Sequence, residues 1–273
     1  MSVELSQLIA SFEKAWPIEL AETWDAPGLI AGSANQRVAR VLLTVDVTAE
    51  ILAEAQDGAF DLILAHHPYL MRGITTVNEQ TAKGALLASA ARSNTAIYAA
   101  HTNADVVSDG VSAALAAAIG ITTARPLVAS TDQSIGHGRI GDLAAPMTLG
   151  DFARQVANVL PSTATGVRVA GEYDQIVSCI ALCGGAGDSF IADAIASGAD
   201  VYLSSDLRHH PAQDAREHAQ LHNSKPALVD VSHWAGEWMW LEVAAARLAK
   251  EFSEVQFVVS HIRTDPWDFV VTQ

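Results

Sequence analysis

Short apolar runs of strand type alternate with helix-type segments along almost the whole chain, and no other feature constrains the fold as much. RVARVLLTVDV (37–47), FDLILAHHP (60–68) and TAIYAA (95–100) read as strands, with helices expected over 48–56, about 82–92 and about 110–119. The pattern returns in the second half. GRIGDL (138–143), GVRVAG (166–171), IVSCIAL (176–182), DVYLS (200–204), PALVDV (226–231) and VQFVVSH (255–261) are strand-like. Helices are expected after Thr148 as a cap, near 189–197, from about 212 and from Ser232 onward, with a polar loop over 130–138. Short strands separated by helices imply βα crossovers and substantial parallel sheet, so the expected class is α/β. Such sheets carry functional residues at the carboxyl ends of their strands. No fixed-period repeat or low-complexity linker is visible, so any two domains are expected to be interwoven.

A chain of 273 residues has length for one large or two small domains. Half its residues are hydrophobic and 17% are charged, which excludes a disordered chain. No apolar run reaches the roughly 18–20 residues of a membrane span. MSVELSQLIASFEKAWPIEL reads as an amphipathic helix of the fold and lacks a signal peptide's basic start, so a cytoplasmic protein with no membrane partner is expected. Thirty-one acids against sixteen bases give a net charge of −15, which repels a phosphate backbone and excludes bulk nucleic-acid binding. It leaves room for a single nucleotide held by a metal, whose charge dominates its surroundings. Cys179 and Cys183 lie roughly 13 Å apart on an extended strand, too far for a disulfide, and are expected to be buried free thiols.

Three clusters follow directly on predicted strands: His66-His67-Pro68, His101 with Asp105, and His233 with Glu237. Pro68 fixes a turn that can aim both imidazoles of the pair at one site. A helix starting at Ser232 puts His233 and Glu237 on one face, four positions apart. Imidazole and carboxylate without thiolate suit Zn, Mn or Fe. Four imidazoles and two carboxylates exceed the needs of one tetrahedral ion and suit two ions sharing a carboxylate. A lone histidine at a strand end is most often structural; three such clusters at three strand ends are a metal pattern.

DLILAHHPYLMRGI, YAAHTNADVVSDGVSAALA, CGGAGDSF, ADVYLSSDLRHHPAQDA and DVSHWAGE resemble, in order, the signature segments of the GTP cyclohydrolase 1 type 2 family, the Nif-three-like proteins. WDAPGLIAG and RTDPW look like its terminal segments, and the long insert of some relatives is absent. The resemblance implies two interlinked α/β domains with mixed, largely parallel sheets flanked by helices. They are expected over 1–125 with 228–273 (the metal-site domain) and over 126–227. It further implies a dinuclear centre with two divalent ions per subunit and a homohexamer. Carried over residue by residue, it assigns metal ligation to His66, His67, Asp105, His233 and Glu237, with His101 either a ligand or a neighbour of one. Two departures, Ala26-Pro27 after Trp-Asp and Ser205 where relatives carry glycine, leave these ligands untouched and bear on the substrate.

In the fourth segment Asp206 and His210 either orient a substrate or belong to a buried polar network. Arg208 can pair a phosphate, and His209 reads as packing. Asp46, closing VLLTVD, is similarly poised. The glycines of CGGAG either admit a phosphate or open a helix that Asp188 or Ser189 caps; without a closing Lys-Ser/Thr they are no P-loop. Trp234, Trp238, Leu241, Ala245 and Leu248 recur at helical spacing and read as core. The expected function is metal-dependent hydrolysis of a small, nucleotide-like molecule, of the GTP cyclohydrolase type by resemblance. The alternatives are a metal-dependent phosphatase or phosphodiesterase and a non-catalytic metal-binding regulatory protein.

Overall fold

In the computed structural model, which describes residues 2–121 and 123–272, the chain divides into two units that exchange segments along the sequence. The first comprises Met1–Ala104 and Leu241–Thr264, the second Asp105–Trp240 and Asp265–Gln273.

The first unit is built on a five-stranded sheet in the order Gln256–Val259, Arg40–Thr44, Leu62–Ala65, Ala96–Ala99, Gly28–Ala31. The first four strands run parallel and Gly28–Ala31 pairs antiparallel with Ala96–Ala99. Every residue of Leu62–Ala65 and Ala96–Ala99 is buried, as expected of parallel strands covered on both faces. Leu42, Ile51, Leu52, Ile63 and Ile97 form the core, each apolar side chain contributing about 2 kcal/mol on burial. Helix Ala49–Asp57 starts where expected because the Thr48 hydroxyl accepts from the Ile51 N–H, and Thr81 caps Ala82–Ser93 in the same way. The latter helix ends at Asn94, in the left-handed conformation asparagine tolerates.

The second unit has a mixed sheet in the order Arg168–Ala170, Ala227–Val231, Val201–Ser205, Ile176–Ala186, Arg139–Thr148. The central three strands are parallel and both outer pairs antiparallel. Leu149–Val159, capped by Thr148, and His209–Leu221 are its longer complete helices. Helix His233–Glu251 begins in this unit and continues into the first, with the Ser232 hydroxyl accepting from the Ala235 N–H at its start. The α/β reading and its mixed sheets stand. No helix among the described residues is long and apolar enough to cross a membrane.

Several expected segments come out differently. Gly28–Ala31 is a strand that the sequence pattern did not flag. Strand Ile176–Ala186 runs on through the Gly-rich stretch after IVSCIAL, and a 3-10 turn Asp188–Phe190 precedes the short helix Ile191–Ala196. The loop over 130–138 holds half of a small hairpin, Val128–Ala129 with Gly136–His137. The helix expected from about 212 starts at His209. Both cysteines are free, but Cys179 is only part-buried.

One backbone device occurs in each unit. Asp61 precedes strand Leu62–Ala65; its N–H donates to Arg40 O (3.0 Å) and its carbonyl accepts from Ala96 N (2.8 Å). Its carboxylate accepts from the N–H groups of Ala39 (2.7 Å) and Arg40 (3.0 Å). Asp200 does the same before Val201–Ser205: its N–H donates to Cys179 O (2.8 Å) and its carbonyl accepts from Ala227 N (2.9 Å). Its carboxylate accepts from Ser178 N (2.8 Å) and Cys179 N (2.9 Å). In both cases an aspartate ties the start of the middle strand to its two neighbours, which sets where the opposite, carboxyl ends fall.

Candidate metal centre

In the first unit the ends of two adjacent parallel strands bring three imidazoles together. Beyond Ala65 the backbone still pairs, His66 N with Thr44 O (3.0 Å) and His67 N with Val45 O (2.8 Å), and the chain then turns at Pro68. Beyond Ala99, His101 arrives beside them. Ring centroids lie 5.0 Å apart for His66–His67 and 5.2 Å for each of the other pairs. One ligand nitrogen from each of the three falls within 4.8 Å of the others, and such groups are compatible with metal binding.

Each of these rings is held through Nδ1. His66 Nδ1 lies 2.8 Å from the Ala100 carbonyl, which only accepts, so the ring carries its proton there and Nε2 keeps a lone pair. His67 Nδ1 meets Asp46 Oδ1 at 2.7 Å, and His101 Nδ1 meets Asp25 Oδ1 at 2.8 Å. Asp46 is itself held by the Thr264 hydroxyl at 2.5 Å. Asp25 also accepts from Thr102 N (3.1 Å) and Thr102 Oγ1 (2.5 Å). Burial would raise the Asp25 carboxyl, but the bonds from His101 and Thr102 outweigh it and bring it to about 2. An acceptor behind Nδ1 that leaves Nε2 facing forward is the arrangement metal-ligating histidines use.

The second unit presents a different group. His233 Nε2 lies 3.0 Å from Glu237 Oε1, the i, i+4 contact that the helix start implies, and Nδ1 lies 2.8 Å from Asp206 Oδ2. The Glu237 charge, working against burial and helped by Asp206, pushes the imidazole up to about 11. The bond to His233 in turn holds Asp206 below its ordinary value. A basic imidazole between two carboxylates exchanges its proton for a divalent cation, so this donor set also fits one. Asp105 ends the short helix Thr102–Asp105 and is part-buried. Its charge and that of Glu237 both help burial push the Cys183 thiol up to about 12, so this thiol is inert.

One glycine of CGGAG serves this group, and another makes room for Ser204. Gly185 has φ +74°, and a Cβ there would stand 2.4 Å from Glu237 Oε1 and 3.4 Å from His233 Nε2. At Gly187 a Cβ would meet Ser204 Oγ at 2.0 Å. The space a phosphate would need is taken by side chains. Neither Asp188 nor Ser189 caps a helix; Asp188 pairs with Arg208.

Of the residues expected to meet substrate, Asp206 contacts His233, Arg208 contacts Asp188, and His210 is exposed with its ring 5.2 Å from His209. His209 is exposed too, contrary to its reading as packing. On the last long helix Trp234, Leu241, Ala245 and Leu248 are buried, whereas Trp238 is only partly so and Trp240 is buried instead. The sequence reading missed Asp25, although it sits in the segment WDAPGLIAG, and left Asp46 undecided. RTDPW gains a reason as well: Thr264 holds Asp46, and Asp265 accepts from the Ser232 hydroxyl that caps the His233 helix.

A Streptomyces coelicolor protein named GTP cyclohydrolase 1 type 2 homolog is 42% identical over 271 residues, covering 96% of this chain and 93% of that one. A Mycobacterium tuberculosis protein of the same name is 31% identical, covering 98% of this chain and 97% of that one. That alignment spans 376 positions, so the relative carries sequence this 273-residue chain lacks. A crystal structure of a Bacillus cereus protein related to NIF3 superposes with a TM-score of 0.90 at 25% identity, covering 98% and 99% of the two chains. The model of the Duf34/NIF3 (NGG1p interacting factor 3) family matches residues 3–266, and the chain belongs to that family.

Proposed function

We propose that this protein is a metal-dependent hydrolase in which His66, His67, His101, Asp105, His233 and Glu237 hold two divalent ions and the substrate is a small, nucleotide-like molecule. The observation that carries the reading is the first unit's triad: three imidazoles whose ligand atoms gather within 4.8 Å, each ring braced at Nδ1. When bound, such ions act as Lewis acids that lower the pKa of a water from 15.7 towards about 7. Asp25 and Asp46 fix the tautomer and angle of His101 and His67, so that their ligating nitrogens need no reorganisation when a cation arrives, and Asp206 holds the His233 ring in place while it gives up a proton. His66 is fully buried and is held at Nδ1 by the Ala100 carbonyl.

A nucleotide-like substrate is supported by the relatives' name and by Trp24. This indole is 58% exposed and stands edge-on to His101 at 5.8 Å, so its open face can stack a planar base. The reading places the protein in the cytoplasm as a homo-oligomer, the hexamer that the family resemblance implies. Its test is incubation of the Zn-, Mn- or Fe-loaded protein with GTP and a panel of nucleotides and phosphoesters, beside a His66→Ala, His233→Ala double variant. Turnover of a purine nucleotide by the wild type and not by the variant supports the reading. No turnover of any substrate by the wild type refutes the hydrolase, and release of phosphate alone moves it to the phosphatase class.

A further inference from the structure

The sheet of the second unit has Arg168–Ala170 at one edge. This edge strand has three residues and, among the described residues, pairs only with Ala227–Val231 and has no strand on its outer side. A groove lies on each face of this edge, and Val169 lines both. One, about 330 Å³, is walled by Leu149, Ala153, Ala157 and Tyr173 with Arg154 at its rim. The other, about 340 Å³, combines Leu207 and Leu228 with Arg168 and Arg216. Val169, Tyr173 and Ile176 stay 43%, 51% and 61% exposed here. An open edge with a pocket on either side is what an added strand fills, its alternate side chains dropping into the two grooves.

The chain carries a segment of the right chemistry. After Pro266, residues 267–272 read Trp-Asp-Phe-Val-Val-Thr, aromatic and β-branched and therefore strand-prone, yet they form no strand. Trp267, Phe269 and Val271 are 62%, 80% and 75% exposed, and the backbone of 268–272 makes no hydrogen bond among the described residues. Extended, the segment puts Trp267, Phe269 and Val271 on one face and Asp268 and Val270 on the other. The first face matches the apolar groove; the second brings a carboxylate to the groove in which Arg216 stands beside the Arg168–Asp230 ion pair. Arg168 in that groove already pairs with Asp230, so Arg216 is the partner left for Asp268 there, in a chain of net charge −15.

We propose that residues 267–272 of one copy of this chain add as a strand to the Arg168–Ala170 edge of a second copy, making this an arm-exchange interface. It goes beyond the metal reading and needs no metal, so either can fail alone. The test is sedimentation velocity of the full chain, with amide hydrogen exchange at 168–170. Wild type is expected to sediment as an oligomer with this edge protected. Phe269→Asp with Val271→Asp is expected to cut the mass at least twofold and speed exchange at 168–170 roughly tenfold or more. Asp268→Arg and Arg216→Glu should each weaken assembly, and their combination should restore it, which separates a broken interface from a misfolded variant. A monomeric wild type overturns the proposal, even with the edge protected, since the arm would then fold back on its own chain. So does an arm variant of unchanged mass, or a charge-swapped pair no better than its singles.

Discussion

In the first unit a strand opens after Asp61 and closes into His66-His67; in the second a strand opens after Asp200 and closes into Asp206. The neighbouring strand ends two residues before His101 in one case and two residues before His233 in the other. Four positions beyond each of these histidines stands an acid, Asp105 and Glu237. Each unit thus carries one frame, a parallel strand pair anchored by an aspartate, and loads its carboxyl ends differently. The first collects three imidazoles; the second sets one imidazole between two carboxylates. Bracing differs too. Asp25 and Asp46 reach their histidines from outside that strand pair, whereas Asp206 is itself a strand-end residue of the frame. The frame positions the donors, and the residues placed on it decide whether a unit offers mainly imidazole nitrogen or carboxylate oxygen.

If the frames are equivalent, Asp61→Ala and Asp200→Ala should each cost about 3 kcal/mol in denaturant unfolding, because each strands two backbone N–H groups that now meet a carboxylate. A large loss at one position and none at the other would break the comparison. Bracing is tested by Asp46→Asn and Asp206→Asn. Each should weaken divalent-metal binding tenfold to a hundredfold, by roughly the loss typical of such partners, as read by competition with a chromophoric chelator. Equal losses would show that a brace inside the frame and one outside it serve alike. Gly185→Ala sharpens the contrast from the second unit's side. Its φ of +74° and the approach to Glu237 predict a loss of about 1–2 kcal/mol in thermal unfolding.

The smallest effect is in pH. Burial alone would raise Asp200, but bonds from Lys225 and from the N–H groups of Cys179 and Ser178 outweigh it and hold the carboxyl below its ordinary 3.8. With the folded value below the unfolded one, this stabilisation is present above that ordinary value and is lost as pH falls through the folded one. The stability gap between wild type and Asp200→Asn should therefore be widest near neutrality and close below about pH 4. A gap that widens on acidification would mean the carboxylate is not held as described.

The strand-end histidines were legible because apolar parallel strands announce themselves and the residue after each is a matter of counting. Thr148 was legible as a cap, and Thr48 and Ser232 as the starts of helices, for the same local reason. What escaped depends on contacts far apart in sequence: Asp25 lies 76 positions from His101, and Thr264 lies 218 from Asp46. The Gly-rich stretch misled because a phosphate loop and a strand crowded by Glu237 both call for glycine; only the neighbouring carboxylate distinguishes them. The shared aspartate device was hidden since it lives in backbone hydrogen bonds, with too little sequence in common to register as a repeat.

The most direct measurement is the metal content of the chain after reconstitution with Zn, Mn or Fe and removal of loosely bound ions. Two divalent ions per chain are predicted, falling on His66→Ala through the loss of the three-imidazole group and on Glu237→Ala through the loss of the carboxylate group. A content below one ion per chain for every metal would contradict the account.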